Sequence, residues 1–163
     1  MIERDDTLTH FDERGQARMV DVSGKPVTHR RAVAGGSLRM SPQAFAALDA
    51  ADSPKGDVLG VARIAAIQGA KQTAALIPLC HPLPLTHLSV EFSRDAEQSR
   101  LTIEVTAETD GKTGVEMEAL TGASVGLLTV YDMLKAVDKA MVMEDIRLVS
   151  KEGGRSGKWR ADS

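Results

Sequence analysis

GVEMEALTGASVGLLTVYDMLKA, residues 114–136, is the stretch of sequence that decides the fold of this chain. From residue 119 to residue 131 it carries no charged side chain, although two carboxylates stand just before this run and an acid and a base just after it. A segment this apolar is buried, and charge at the edge of a buried element is costly unless it is paired or used. The run is also too short to span a bilayer. It therefore predicts a core or interface helix with chemistry at its two ends.

Strand-like and helix-like patterns alternate on both sides of this helix. Residues 27–38 look extended, with a bulge or bend at Gly35-Gly36, and Ser41-Pro42 starts a short helix. Asp57 caps a longer helix, residues 87–93 and 101–107 alternate as an antiparallel pair, and 141–150 is a last strand. With the short helix set aside, the order is βαββαβ. We therefore predict an α+β, ferredoxin-like fold, in which a four-stranded antiparallel sheet carries its helices on one face.

The chain divides by composition into three parts. Residues 1–26 are polar and aperiodic and predict an irregular N-terminal arm. Residues 27–152 hold the predicted ferredoxin-like domain, and 153–163 form a Gly-rich, basic C-terminal tail. The domain has the size of a single folding unit with a real core.

Charge and composition exclude several function classes. The net charge is −3 and aromatic residues make up 3%, which argues against a nucleic-acid partner. Cys80 is the one cysteine, so no intramolecular disulfide forms. The first residues lack the apolar core of a secretory signal, and no run suits a membrane span. We therefore expect a cytoplasmic protein with neither a nucleic-acid nor a membrane partner.

Two short strings have both a functional and a plain structural interpretation. Lys55-Gly56-Asp57 stands at a helix start, which suits a phosphate group, but the string is short and a plain loop with a capping aspartate is the commoner explanation. In Cys80-His81-Pro82 the proline favours an extended backbone that fixes where the imidazole points. His81 is then a positioned acid, base or phosphate donor, or a packed histidine beside a buried thiol. The chain has no pattern typical of zinc ligands.

The charges that flank the apolar run form two pairs. If the backbone at Glu116 and Glu118 is still extended, both carboxylates share a face and one pKa rises; on a helix they are first-turn acids. Asp132 and Lys135 share a helix face. They are either a surface ion pair or a proton-transfer pair in which apolar surroundings lower the pKa of the lysine.

Basic residues outside the helix could bind polyphosphate, or belong to solvated surface and a frayed terminus. These are Arg30, Lys112, Lys151, Arg155 and Lys158.

Several of these segments together resemble one known family. KGDVLGVARIAAIQGAK, LIPLCHPL, KTGVEMEALTGASV, LTVYDMLKAVDK and GGRSGKW occur in the order and spacing of the cyclic pyranopterin monophosphate synthases, the molybdenum cofactor biosynthesis protein C family. The resemblance runs from Leu8 to Trp159. One departure is Arg155, where the family often has lysine, so the charge is kept while the donor geometry changes.

The resemblance implies a lyase in molybdenum cofactor biosynthesis that converts 3′,8-cyclo-7,8-dihydro-GTP to cyclic pyranopterin monophosphate and releases pyrophosphate. It implies a hexamer built as a trimer of dimers. It implies that the catalytic residues are Asp132, Lys55 and Lys135. It implies that the substrate is bound by Leu79, Cys80, His81, Glu116, Met117, Glu118, Arg30 and Lys151. Bound triphosphate often brings Mg²⁺, but no ligand set for it is visible, so we expect no resident metal or cofactor.

Two other function classes occur on the same predicted fold. RNA-recognition modules need aromatic residues on the sheet and a basic surface, and the hairpin here offers only Phe92. A regulatory domain that binds a small molecule would explain a pocket but not the clustering of Lys, Asp, Glu and His.

The apolar run separates its two charged ends by roughly 20 Å at 1.5 Å per residue. We therefore expect a single site to draw its two ends from different subunits.

Overall fold

The computed structural model describes residues 8–49 and 56–162. Its elements follow one another along the chain in the order β1 (Thr28–Arg39), α1 (Pro42–Ala47), α2 (Val58–Lys71), α3 (Thr73–Leu76), β2 (His87–Asp95), β3 (Arg100–Gly111), α4 (Glu116–Leu134), β4 (Val142–Glu152) and β5 (Trp159–Arg160). Residues 8–26 contribute no helix or strand to this order. None of the described helices is both long and apolar enough to cross a membrane.

The strands form one antiparallel sheet in the order β2-β3-β1-β4-β5. The prediction of an α+β chain with an antiparallel sheet is confirmed. The predicted count of four strands is one too few, because the tail turns back after β4 and pairs Trp159 with Lys151 and Arg160 with Ser150. This fifth strand has two residues and lies in a Gly-rich segment, so no alternating pattern could announce it.

The bulge predicted at the glycine pair is present in β1. Its register against β4 shifts between Val33 and Ala34 and again between Gly35 and Ser37. A side chain at Gly36 would press on Ile146 and Leu127, with contacts of 2.9 and 3.0 Å. Glycine at this position therefore lets α4 and β4 approach the strand closely.

The two long helices pack on each other and on one face of the sheet. Small residues make this possible: a side chain at Gly126 of α4 would lie 2.5 Å from Ile103 of β3, and one at Gly69 of α2 would lie 2.8 Å from Val125. The core between helices and sheet contains Ala34, Leu38, Ala62, Ala66, Leu101, Ile103, Val105, Ala123, Leu127 and Val130. The uncharged run is thus a core helix, as predicted.

Local hydrogen bonds fix where the helices begin and end. The side chains of Ser41 and Asp57 accept hydrogen bonds from backbone N–H groups at 3.1 and 2.9 Å and cap α1 and α2, as predicted. The longer helix, however, is interrupted at Gln72. The hydroxyl of Thr73 donates to the carbonyl of Ala70 at 2.8 Å, a side-chain bond that competes with helical pairing.

Candidate functional site

The amino end of α4 borders a cavity of about 270 Å³, which we call the inner cavity. Three segments build it: the N-terminal arm, the proline-rich stretch 77–86 and the start of α4. The proline-rich stretch is tied to the sheet by Thr109, whose hydroxyl donates to the carbonyl of Pro84 at 2.7 Å. The residues of the inner cavity that matter for its chemistry are His10, Cys80, His81, Glu116, Met117 and Glu118.

A larger cavity of about 820 Å³, the outer cavity, adjoins the inner one. The two share Thr9, Lys25, Thr113, Gly114 and Glu116 as lining residues. Five cationic side chains line the outer cavity against the single carboxylate of Glu116. The cations are Lys25, Arg30, Lys112, Lys151 and Arg155. This excess of positive charge suits a ligand with several negative charges, such as a polyphosphate.

Hydrogen bonds and ion pairs hold three of these cations in place. The Lys151 amine lies 3.1 Å from a Glu116 carboxylate oxygen. The Lys112 amine donates to the carbonyl of Ser23 at 2.8 Å, and the Arg30 guanidinium donates to the carbonyl of Gly111 at 3.3 Å. The bond from Lys112 ties the arm to the body of the protein beside the cavity.

The tail closes one side of the outer cavity and needs glycine to do so. Gly153 and Gly154 have φ values of +101° and +73°, a region that side chains rarely adopt. A side chain at Gly154 would overlap the Arg30 guanidinium, and one at Gly153 would overlap the carbonyl of His29. The backbone thus turns past Arg30 and brings Arg155 and Ser156 to the cavity wall.

Glu118 is the unusual titratable group of the inner cavity. Its side chain faces that cavity although the residue is only 4% exposed. Burial raises the pKa of Glu118 from 4.5 to about 7, and the charge of Glu116 adds to the rise. Burial also raises the pKa of the Cys80 thiol, with a further contribution from Glu118. A carboxyl poised near neutrality in a cleft marks a candidate functional site.

The structure brings most of the predicted substrate residues together. Leu79, Cys80, His81, Met117 and Glu118 line the inner cavity, Arg30 and Lys151 line the outer one, and Glu116 belongs to both. Lys55 lies outside the described residues. Among the described residues, no group of three His, Cys, Asp or Glu side chains is arranged to hold a metal ion.

Asp132 and Lys135 lie elsewhere, at the carboxyl end of α4. The Lys135 amine donates to an Asp132 carboxylate oxygen at 2.6 Å, and both side chains are more than half exposed. Neither residue lines the inner or the outer cavity. The predicted lowering of the lysine pKa is wrong for this chain, because the hydrogen bond and charge of Asp132 raise the pKa of Lys135. At 1.5 Å per residue, about 24 Å of helix separate Asp132 from Glu116.

The predicted extended entry to α4 is also wrong. The helix begins at Glu116, so Glu116 and Glu118 are first-turn acids whose side chains diverge around the helix. Both side chains still line the inner cavity, because this cavity extends around the start of the helix. The alternative interpretation is therefore correct for the backbone: both acids belong to the first turn of a helix, near the positive end of its dipole.

Sequence reasoning missed the residues that the arm contributes. Thr9 and Lys25 line both cavities, and His10, Val20 and Val22 line the inner one. The arm is aperiodic, so no hydrophobic pattern could place it on the domain. The one local signal was Gly24-Lys25-Pro26, a turn-forming sequence that presents a lysine.

Two comparisons with known proteins find similar sequences over most of the chain. The sequence profile of the MoaC family matches residues 19–154. A protein of Dinoroseobacter shibae named cyclic pyranopterin monophosphate synthase is 57% identical over 155 residues, which cover 95% of this chain and 98% of that relative. The region matched by the family profile includes the whole of α4 and most lining residues of the two cavities; Thr9, His10, Arg155 and Ser156 lie outside it.

Proposed function

The chain belongs to the MoaC family, and we propose that it is a cyclic pyranopterin monophosphate synthase that acts in molybdenum cofactor biosynthesis. In this proposal the substrate is 3′,8-cyclo-7,8-dihydro-GTP, and the second product is pyrophosphate. One observation carries the proposal: a cavity lined by five cations adjoins a cavity that holds carboxylates and imidazoles. A nucleoside triphosphate needs both, one for its phosphates and one for its base.

We assign the outer cavity to the triphosphate. Arg30 and Lys151, which the resemblance implies as substrate-binding residues, contribute charge and hydrogen-bond donors, and Lys25 and Lys112 add to the positive charge. Arg155 presents a planar guanidinium at the tail loop. Neutralising the phosphates favours departure of pyrophosphate, since negative charge builds up on the leaving group. Mg²⁺ bound to the triphosphate is compatible with this role.

We assign the inner cavity to the guanine-derived ring. Glu116 is a carboxylate paired with Lys151, and such an oxygen accepts hydrogen bonds from ring N–H groups. His81, Leu79 and Met117 border the same space. Held in this way, a ribose-derived hydroxyl can be aligned with the α-phosphorus. Its oxygen forms the new P–O bond, its proton leaves, and the bond to the β-phosphate bridging oxygen breaks.

We propose that Asp132, Lys135 and Lys55 transfer protons during ring opening and pterin formation. The pair Asp132 and Lys135 is exposed in one chain and roughly 24 Å along the helix from Glu116. It therefore acts on substrate held by a neighbouring subunit. Exposed apolar side chains on the helix layer support an assembly of this kind; Val61, Ile64 and Leu128 are 46, 68 and 53% exposed. We propose a hexamer built as a trimer of dimers.

The fold assignment forms part of the same proposal. The four long strands and the two long helices follow one another as βαββαβ, with β1 and β3 central and both helices on one face. This order supports a ferredoxin-like class with β5 as an addition at the edge.

The test measures pyrophosphate release from 3′,8-cyclo-7,8-dihydro-GTP by the wild-type protein and by Lys55→Ala, Asp132→Ala and Lys135→Ala. We expect each variant to lose turnover while its unfolding midpoint stays unchanged, since the pair at 132 and 135 is exposed. Lys139→Ala, which changes an exposed lysine at the same end of α4, is the matched control. Wild-type-like turnover in all three variants would refute the residue roles. A wild-type protein that binds GTP but releases no pyrophosphate would refute the activity.

A further inference from the structure

Two acids two residues apart experience opposite surroundings at the start of α4. Glu116 is paired with the Lys151 amine at 3.1 Å and its side chain keeps 29% of its exposure. Glu118 is 4% exposed, and within the described part of the chain it forms no ion pair. Both line the inner cavity. One acid thus has a cationic partner, and the other is buried without a counter-charge.

We infer that Glu118 recognises the base of the nucleotide as a neutral carboxylic acid, donating its O–H to a ring carbonyl oxygen, while Glu116 remains a carboxylate that accepts from ring N–H groups. The inference rests on the proposed function, because it assumes a guanine-derived ring in the inner cavity. It changes the role of one of the two acids from acceptor to donor.

The charges facing Glu118 agree with this protonation state. The arm contributes His10 and Lys25, the proline-rich stretch contributes Cys80 and His81, and α4 contributes Glu116. None of the three basic groups forms an ion pair with Glu118. Burial, the negative charge of Glu116 and the absence of a paired cation all favour the proton, and they outweigh the hydrogen bond from the backbone N–H of Glu118 itself.

A neutral acid beside a carboxylate suits the edge of a guanine-type ring. That edge presents a carbonyl oxygen next to N–H groups, an acceptor next to donors. A carboxylic acid supplies the O–H that the carbonyl needs, whereas two carboxylates would place negative charge against the carbonyl oxygen. A ring with an amino group in place of the carbonyl would leave the buried O–H unpaired, which is a strong basis for rejection.

The experiment measures the Kd of GTP by calorimetry at about pH 6 and about pH 8 for the wild-type protein and for Glu118→Gln. The amide of glutamine donates at both pH values, whereas the acid loses its proton. The phosphates and histidines are the same in both experiments, so the effect of their titration on Kd cancels in the ratio of wild-type to variant Kd. With a pKa of about 7 we expect this ratio to rise about tenfold over that interval.

Two further arms separate a donor from a merely structural residue. Glu116→Gln is expected to weaken GTP binding at both pH values. The triphosphate of 2,6-diaminopurine riboside, which replaces the carbonyl with an amino group and the adjacent N1–H with an unprotonated nitrogen, is expected to bind the wild-type protein at least tenfold more weakly than GTP. The infrared band of a protonated carboxyl should titrate near pH 7 in the wild-type protein and be missing in Glu118→Gln.

Several outcomes would overturn the inference. The first is a Kd ratio that does not change with pH. The second is a protonated-carboxyl band that is already lost by about pH 5 as the pH is raised. The others are equal affinity for GTP and for the diaminopurine nucleotide, or no binding of GTP at all. The pyrophosphate assay distinguishes this failure from failure of the proposed function. Pyrophosphate release with an unchanging Kd ratio would refute the neutral acid alone. A tenfold rise in the ratio without pyrophosphate release would refute the activity and leave Glu118 as a reader of guanine nucleotides.

Discussion

Replacing Glu118 by glutamine should make the protein relatively more stable at alkaline pH. Folding raises the pKa of this carboxyl from 4.5 to about 7, because its charged form is buried. The raised pKa stabilises the folded protein fully at pH values below the pKa of the unfolded chain. This stabilisation is lost as the pH rises to the pKa of the folded protein. The shift corresponds to about 3 kcal/mol. We expect about 2 kcal/mol, since solvent partly screens a charge that borders a cavity. The glutamine of Glu118→Gln does not titrate, so this variant does not lose that stability as the pH rises.

The measurement is urea unfolding of both proteins at about pH 5 and about pH 8, at one protein concentration so that assembly contributes equally. The free energy of unfolding of Glu118→Gln, taken relative to wild type, should rise by about 2 kcal/mol between the two pH values. Glu91→Gln, which changes an exposed acid on β2, should show no comparable change. An equal difference at both pH values would mean that Glu118 is ionised in the folded protein.

Two glycines provide further tests. Gly154→Ala and Gly157→Ala both place a side chain at positive φ, which costs about 1–2 kcal/mol. Only the former meets Arg30, so it alone should weaken GTP binding in calorimetry; equal affinities would argue against the tail as part of the site. Gly126→Ala would press on Ile103 from 2.5 Å and should destabilise the core by about 1–3 kcal/mol in thermal unfolding. An unchanged midpoint would show that α4 can move away.

Strands β2 and β3 could be predicted because apolar side chains alternate along them with polar ones. In β3 every second side chain is buried, including Leu101, Ile103 and Val105, and this alternation is visible in the sequence. The glycine pair of β1 could be predicted as a bulge because glycine inside a strand often marks one. Strand β5 could not be predicted, because two residues held by pairing with β4 have no period of their own.

The candidate site was predictable where it rests on long, distinctive strings. Four residues of LIPLCHPL and four of GVEMEALTGASV line one cavity, and their role in binding the substrate stays a prediction. The conformation of Glu116 and Glu118 was not predictable, since Gly114 fits both an extended entry and a helix start. The pKa of Lys135 was judged from its apolar neighbours in sequence, but the helix turns this side chain toward Asp132 and solvent.

The short strand β5 also has a consequence for handling the protein. It covers the outer edge of β4 at Ser150 and Lys151, next to the cavity that Lys151 lines. An uncovered strand edge is a template for pairing with another chain, and thus for aggregation. Cleavage in the glycine-rich loop would remove Arg155 and Ser156 from the cavity and open that edge in the same step.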